Sequence, residues 1–382
     1  MNIGFDAKRF FHNNTGLGNY SRTLVNGLMQ SYPQPQYFLF NPMSSKSFQK
    51  PPGSNVHEIL PRRFLAKKFP AFWRSSWVTK DLERLNIRLY HGLSHEIPMG
   101  IQATSVKSVV TMHDLIFERY PEQYKKLDVE IYRRKFHYAC EHANRVIAIS
   151  QQTKNDLVSL YKTDPSKIDI CYQSCNPAYA RVAGDVEKEH LRLILRLPEQ
   201  FFLYVGSVIE RKNLLSICEA LHQLKDEANI PLVVIGSGKS YLQKVKDFIQ
   251  RNGLNRRVIF LSENGAFAAI QNPVTMAAIY QMATSLIYPS LFEGFGIPVL
   301  EALSSGLPVV TSNVSCLPET GGEAAVYVNP LSVEEIREAM KRIYLDKDLR
   351  THLIHKGRAQ AQKFDLQKCS EAVMAVYNKV LE

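Results

Sequence analysis

No apolar run approaches the ~20 residues needed to cross a bilayer, and the first nine residues hold no apolar signal core, so the sequence predicts a protein of the cytosol. Cysteine is sparse at six in 382 residues, and only Cys171 and Cys175 lie close together. With no histidine at ligand spacing beside them, they read as thiols and not as a metal site. An Asp-x-Asp pair occurs only as Asp346-Lys347-Asp348, between late helical stretches, where it reads as a solvated turn. No metal and no cofactor is therefore expected. Internal repeats and low-complexity tracts are lacking, and with 45% hydrophobic and 22% charged residues the chain is neither fibrous nor disordered. A complete P-loop is missing as well. Gly236-Ser237-Gly238-Lys239-Ser240 imitates its end, but Val233 stands where the first glycine belongs.

What is present begins with charge. The net charge is +11, and residues 1–180 hold 24 Lys and Arg against 14 Asp and Glu, whereas residues 181–382 hold 23 against 22. The field thus belongs to the first half, which is expected to meet an anionic partner, unless the excess is only a solvated basic face. The segment 61–74 concentrates five cations among Phe64, Leu65, Phe69, Phe72 and Trp73. It reads as a loop with a short amphipathic piece suited to an anionic membrane surface, so the protein is expected to be cytoplasmic and peripheral on the inner face of the membrane. No nucleic-acid motif accompanies the charge.

Strand-like runs alternate with helical patterns, which predicts an α/β class with parallel, helix-covered sheets. Strands are expected at 2–5, 37–40, 88–91, 107–111 and 145–149 in the first half. In the second they are expected at 201–205, 232–235, 258–261, 285–288, 308–311 and 325–328. This organisation predicts two doubly wound Rossmann-like domains facing across a cleft, one over residues 1–180 and the other over 190–363. Residues 174–189 should be an irregular, exposed junction, since Asn176-Pro177 and Gly184 break periodicity. Residues 364–382 should form a helix that returns to the first domain. Ligands of such folds bind outside the carboxyl ends of the strands.

Two strand ends in the second half carry chemistry. After 201–205 come Gly206, Ser207 and then Arg211-Lys212-Asn213. A glycine admits a ligand to the backbone, Arg211 offers a planar fork and Lys212 a point charge to phosphate oxygens, and Asn213 is suited to cap the next helix. After 285–288 comes a loop with Glu293, Gly294, Phe295 and Gly296, followed by Ile297, Pro298 and Glu301. Pro298 fits a first helical turn, the glycines expose backbone N–H groups, and the helix N-terminus favours an anion such as a diphosphate. Glu301, expected in the first turn, and Glu293, in the loop, could each accept from sugar hydroxyls. In the first half, Gly16-Leu17-Gly18 resembles part of a dinucleotide fingerprint, with Ser21 in place of the third glycine. His113-Asp114 closes a strand. An NAD(P)-dependent oxidoreductase on a Rossmann-type fold therefore stays open as an alternative.

Taken together, these residues resemble the family 4 retaining glycosyltransferases, two-domain enzymes of the GT-B fold. The Glu-x7-Glu spacing of Glu293 and Glu301 around Gly-Phe-Gly, with Arg-Lys-Asn upstream, carries most of the likeness. The resemblance implies metal-independent transfer of a hexose from a UDP- or GDP-linked nucleotide-sugar donor to a saccharide or lipid-linked saccharide acceptor, in cell-surface polysaccharide or glycolipid assembly. It implies that Arg211 and Lys212 hold the diphosphate, Glu301 the ribose, and Glu293 and His113 the donor sugar. Ser207, Phe295, Gly296 and Ile297 would add donor contacts, and Gly16 and Gly18 would approach diphosphate or acceptor. Relatives often carry Asn-Gly-Val-Asp where this chain has Ser174-Cys175-Asn176-Pro177. An insertion-like stretch, 264–273, falls where the base is expected.

Overall fold

Short runs of Val, Ile, Leu and aromatic residues that are buried on both faces can pair only inside a helix-covered sheet, and the computed structural model shows two such sheets. The structure describes all residues except 225–226, 264–269 and 271, so most of the insertion-like stretch lies outside the described residues. The chain forms two units, one of Met1–Ser174 with Asp365–Glu382 and the other of Cys175–Phe364. Among the described residues, no helix is long and apolar enough to cross a membrane.

The first unit is built on β1 (Asn2–Asp6), β2 (Gln36–Phe40), β3 (Val56–Ile59), β4 (Leu89–Gly92), β5 (Lys107–Met112), β6 (Arg145–Ala148) and β7 (Ile168–Ile170). These strands pair in parallel in the order β3-β2-β1-β4-β5-β6-β7. The two edge strands, β3 and β7, were not apparent from the pattern because His57, Glu58 and Asp169 interrupt their short apolar runs. The last helix, Leu366–Leu381, lies in this unit against helix Gly16–Ser31. Gly27 permits that contact, since a Cβ there would fall 2.3 Å from Ser370 Oγ and 2.6 Å from Leu366 Cδ1. The Tyr377 hydroxyl also meets His91 Nδ1 at 2.6 Å, which fastens the helix to the end of β4.

The second unit carries β8 (Phe202–Val205), β9 (Leu232–Ile235), β10 (Val258–Phe260), β11 (Ser285–Tyr288), β12 (Val309–Ser312) and β13 (Ala325–Val328), parallel in the order β10-β9-β8-β11-β12-β13. In both sheets the strand order reverses once, between β1 and β4 and between β8 and β11. Such reversal points open the crevice where doubly wound sheets take their ligands.

The junction differs from expectation. Gly184 begins a regular helix, Asp185–Leu195, so residues 184–189 are not an open link. Highly exposed Val186 and Leu193 obscure its apolar face in the sequence. Residues 175–180, expected in the first domain, belong to the second unit. There the Tyr179 ring stands edge-on to Tyr280 at 5.4 Å, and the Tyr179 carbonyl accepts from Ser305 Oγ at 3.1 Å.

Candidate functional site

At the reversal point of the second sheet, β8 leads into Gly206, whose φ of +144° suits glycine. The side chain of Lys212 then packs directly over this backbone, with Nζ 3.2 Å from where a Cβ would stand. The glycines of the P-loop imitation are close-packing residues. A Cβ on Gly236 would lie 1.8 Å from Gly206 O, and one on Gly238 2.2 Å from Val208 O.

Residues Glu210–Lys212 make a single 3-10 turn, and Asn213 follows at φ +59°. Asn213 does not cap the next helix through its side chain as expected. Its amide instead donates to Pro289 O at 3.1 Å and Pro330 O at 2.7 Å, while Leu291 N–H donates to Arg211 O at 2.8 Å. These bonds hold the loop after β8 against the loop after β11, so the Arg211-Lys212 pair and Glu293 are brought together.

The cluster is compact and buried. Glu293 Oε1 lies 3.0 Å from both Arg211 Nη1 and Lys212 Nζ, and accepts from Tyr288 Oη and Ser290 Oγ, each at 2.9 Å. Arg211 also donates to Phe292 O, and Lys212 to the Tyr288 hydroxyl. Burial would raise the carboxyl pKa of Glu293. Lys212 and Arg211, with hydrogen bonds from Lys212 and Ser290, overcome this and hold it at about 2. Among the described residues nothing bonds to Oε2, which remains an available acceptor. Two fixed cations and one carboxylate leave an excess positive charge, suited to a phosphate group.

Beside this cluster, Gly296 (φ +93°) starts helix Ile297–Ser304, and a Cβ there would meet Leu317 Cδ2 at 2.8 Å. Among the described residues the N–H groups of Gly294, Gly296 and Ile297 have no protein acceptor. With Pro298 next, this end of the helix offers backbone donors and a partial positive charge. Phe295 is buried edge-on to Phe364 at 5.4 Å, and its carbonyl accepts from Thr320. Its side chain is thus a packing element, and only its backbone can serve a ligand. Ser207 is exposed at the turn, where its carbonyl accepts from the Tyr204 hydroxyl at 2.9 Å.

Glu301 is one turn deeper than expected, because the helix begins at Ile297 and its first turn contains no acid. It is buried, accepts from the Tyr280 hydroxyl at 2.8 Å and is hydrogen-bonded by Tyr179. Burial pushes its pKa up to about 7, against the pull of the two tyrosines and Lys212. Tyr179, Tyr280, Tyr288 and Ser290 escaped the sequence reading. Only Tyr288 and Ser290 left a signal, as polar residues at the end of an apolar strand and three residues before Glu293.

Gly16, Gly18 and His113 lie in the first unit, the glycines in the first turn of a helix and His113 directly after β5. Gly16 opens helix Gly16–Ser31 with nothing within 4 Å of a Cβ, whereas a Cβ on Gly18 would lie 1.8 Å from Asn13 O. The N–H of Gly18 is also taken, by Thr15 O and Asn13 Oδ1 at 3.0 Å each. Gly18→Ala should therefore destabilise the first unit by about 1–3 kcal/mol, read by thermal unfolding, and Gly16→Ala should not.

His113 follows β5, buried, with Nε2 donating to Leu93 O at 2.9 Å and the ring edge-on to Tyr20 at 4.6 Å. That bond fixes the tautomer and leaves Nδ1 as the acceptor. Burial lowers its pKa to about 4, with the Leu93 hydrogen bond opposing and Arg9 assisting, so the ring is neutral near pH 7. It can accept from a hydroxyl but cannot act as a general acid there.

The chain matches the family model for glycosyl transferases group 1 over residues 185–360 and that for glycosyltransferase family 4 over residues 14–178. It is 25% identical to the O-antigen chain mannosyltransferase B of Escherichia coli, with 99% of each chain covered. It is 26% identical to the O-antigen chain mannosyltransferase RfbU of Salmonella typhimurium, over 68% of this chain and 65% of that one. Among solved structures it superposes on sucrose-phosphate synthase of Thermosynechococcus elongatus with a TM-score of 0.78 at 19% identity, covering 99% of this chain and 98% of that one. The Anabaena protein HepE in complex with UDP-glucose gives a TM-score of 0.74 at 15% identity, covering 99% and 100%.

Proposed function

The chain belongs to the family 4 glycosyltransferases of the GT-B fold, and on that premise we propose that it moves a hexosyl group from a nucleoside diphosphate sugar to a saccharide hydroxyl with retention of configuration. One observation carries the reading. Arg211 and Lys212 are held on Glu293 beside the open N–H groups of Gly294, Gly296 and Ile297, at the reversal point of a parallel sheet. The family membership replaces the oxidoreductase alternative.

The chemistry follows from charge. The bond between the sugar C1 and the phosphate oxygen breaks, its electron pair leaves with the diphosphate, and the sugar passes through an oxocarbenium-like state. Lys212, Arg211 and the helix N-terminus meet the charge that develops on the leaving group, where fixed donors count most. Glu293 is poorly suited as a covalent nucleophile, since a carboxylate whose pKa is held at about 2 is a weak base already engaged through Oε1. Its Oε2 would accept from a hydroxyl of the donor sugar. The acceptor oxygen then attacks from the face the diphosphate leaves, and its proton passes to a departing phosphate oxygen. On the first unit, His113 is a neutral acceptor suited to a sugar hydroxyl. Because side-chain cations neutralise the leaving group, EDTA should leave the rate unchanged.

The full-length mannosyltransferase relative makes a mannosyl donor the first to try, and a saccharide of a surface polysaccharide, free or lipid-linked, the first acceptor class. UDP or GDP should raise the melting temperature and NAD should not; the reverse pattern would overturn the donor class.

We assign Glu301 to the ribose, a role that carries a pH dependence. Hydroxyls donate best to the ionised carboxylate, so binding favours loss of its proton, and affinity for the nucleotide should rise with pH. With a pKa of about 7 the gain from pH 6 to pH 8 is about tenfold. Calorimetric titrations check it, and Glu301→Gln should flatten the profile.

A further inference from the structure

A cavity of about 380 Å³ in the first unit lies outside the proposed chemistry. Arg62, Arg63, Lys80 and Arg84 line it together with Trp73 and Trp77, the only two tryptophans of the chain. Its one acid, Asp81, is already engaged, accepting from Trp73 Nε1 at 2.8 Å and Arg84 Nη2 at 2.8 Å. Four cations against one committed carboxylate leave the cavity positive.

The neighbouring surface is unusually apolar for a basic face. Phe64 is 78% exposed, Leu65 59%, Phe72 62% and Trp77 40%. The Phe72 and Trp77 rings stack at 6.1 Å, and Phe69 stands edge-on to Phe72 at 6.4 Å. Aromatic side chains beside lysine and arginine suit the headgroup layer of an anionic bilayer, where rings and charge are both satisfied. A single-stranded nucleic acid would call for free ring faces along a basic track, and here the rings face each other. A soluble phosphate ester would leave Phe64 and Leu65 without a partner.

The cavity is tied to the strand ends. Trp73–Trp77 form one π-helical turn, and Arg74 within it is turned inward, where Nε donates to both oxygens of Asp6 at 3.0 Å and Nη1 to Glu96 Oε2 at 2.9 Å. Asp6 ends β1, on the reversal point of the first sheet. One turn therefore carries the cavity wall outward and an anchor for the strand end inward.

We infer that this cavity takes the phosphate of an anionic membrane-lipid headgroup while Phe64, Leu65, Phe72 and Trp77 enter the interfacial layer. Docked in this way, the end of β1 would be held at a fixed height over the lipid, whichever donor the second unit takes.

Both tryptophans belong to the site, so intrinsic fluorescence reports it directly. Vesicles of phosphatidylcholine containing phosphatidylglycerol should sediment the protein at low salt and shift its tryptophan emission to the blue; pure phosphatidylcholine should do neither. Arg62→Ala with Arg63→Ala should weaken partitioning about tenfold or more, at about 1 kcal/mol per cation. Phe64→Ser with Leu65→Ser should weaken it too. Both variants alter exposed residues and should keep the wild-type melting temperature and rate of nucleoside diphosphate release. Equal affinity for neutral vesicles, full binding by the arginine variant, or the same blue shift from glycerol 3-phosphate alone would overturn the inference.

Discussion

Lys212→Ala is expected to lower kcat by roughly 10²-fold to 10³-fold, the usual effect of removing one preorganised donor to a developing anion. The ammonium is well placed for that role. Its side chain is 13% exposed, and it is fixed by Glu293 Oε1 and by the Tyr288 hydroxyl over the Gly206 backbone. No reorganisation is then needed when the bond to the leaving diphosphate breaks. The donor's ground state already carries part of the phosphate charge, so its Kd should rise as well, and the loss in kcat reports only the charge that develops as the bond breaks. Lys212→Arg should not restore the rate, because a guanidinium is wider than the ammonium that packs 3.2 Å from the Cβ position of Gly206. Release of nucleoside diphosphate at saturating donor measures the effect, and a wild-type kcat in the alanine variant would remove Lys212 from the leaving-group role.

Glu293→Gln is expected to act on stability as well as rate. Glutamine keeps bonds from Tyr288 and Ser290 but leaves Arg211 and Lys212 buried without a counter-charge. Breaking a buried ion pair in this way costs about 3–5 kcal/mol. The native carboxyl, at about 2 against an ordinary 4.5, has a depressed pKa. Its contribution is therefore fully present above about pH 4.5 and is lost as pH falls toward 2. Thermal unfolding of the variant should show the deficit at pH 7 and little of it near pH 2. A diphosphate would restore negative charge to the two cations, so UDP or GDP should raise the melting temperature of the variant more than that of the wild type. An equal rise in both would mean that Glu293 is not the cations' resident counter-ion.

The sequence exposed what depends on local pattern. Strand ends after β8 and β11, the cations at 211 and 212, and the glycines and Pro298 that open a helix are readable because each is set by near neighbours. Contacts made across long sequence separations were not readable. Glu301, expected in a first helical turn, is instead buried among Tyr280 and Tyr179, and that burial raises its pKa to about 7; neither tyrosine lies close to it in the chain. Asn213 has the composition of a cap, yet its side chain is drawn to Pro289 and Pro330 by the fold. Gly16 and Gly18 look alike in sequence and differ in space, since only Gly18 is pressed on Asn13. Helix Asp185–Leu195 and the edge strands β3 and β7 were hidden by polar residues and exposed apolar ones that blur periodicity. The basic aromatic segment was evident, but the cavity beneath it depends on the π-helical turn at Trp73–Trp77.

The most direct test is release of nucleoside diphosphate from a panel of UDP- and GDP-linked hexoses, run with the wild type and with Lys212→Ala and with a saccharide acceptor present. One donor should be consumed by the wild type, the product should keep the donor's anomeric configuration by NMR, and the variant should lose nearly all of this turnover. An inverted product, or turnover that survives loss of Lys212, would contradict the account.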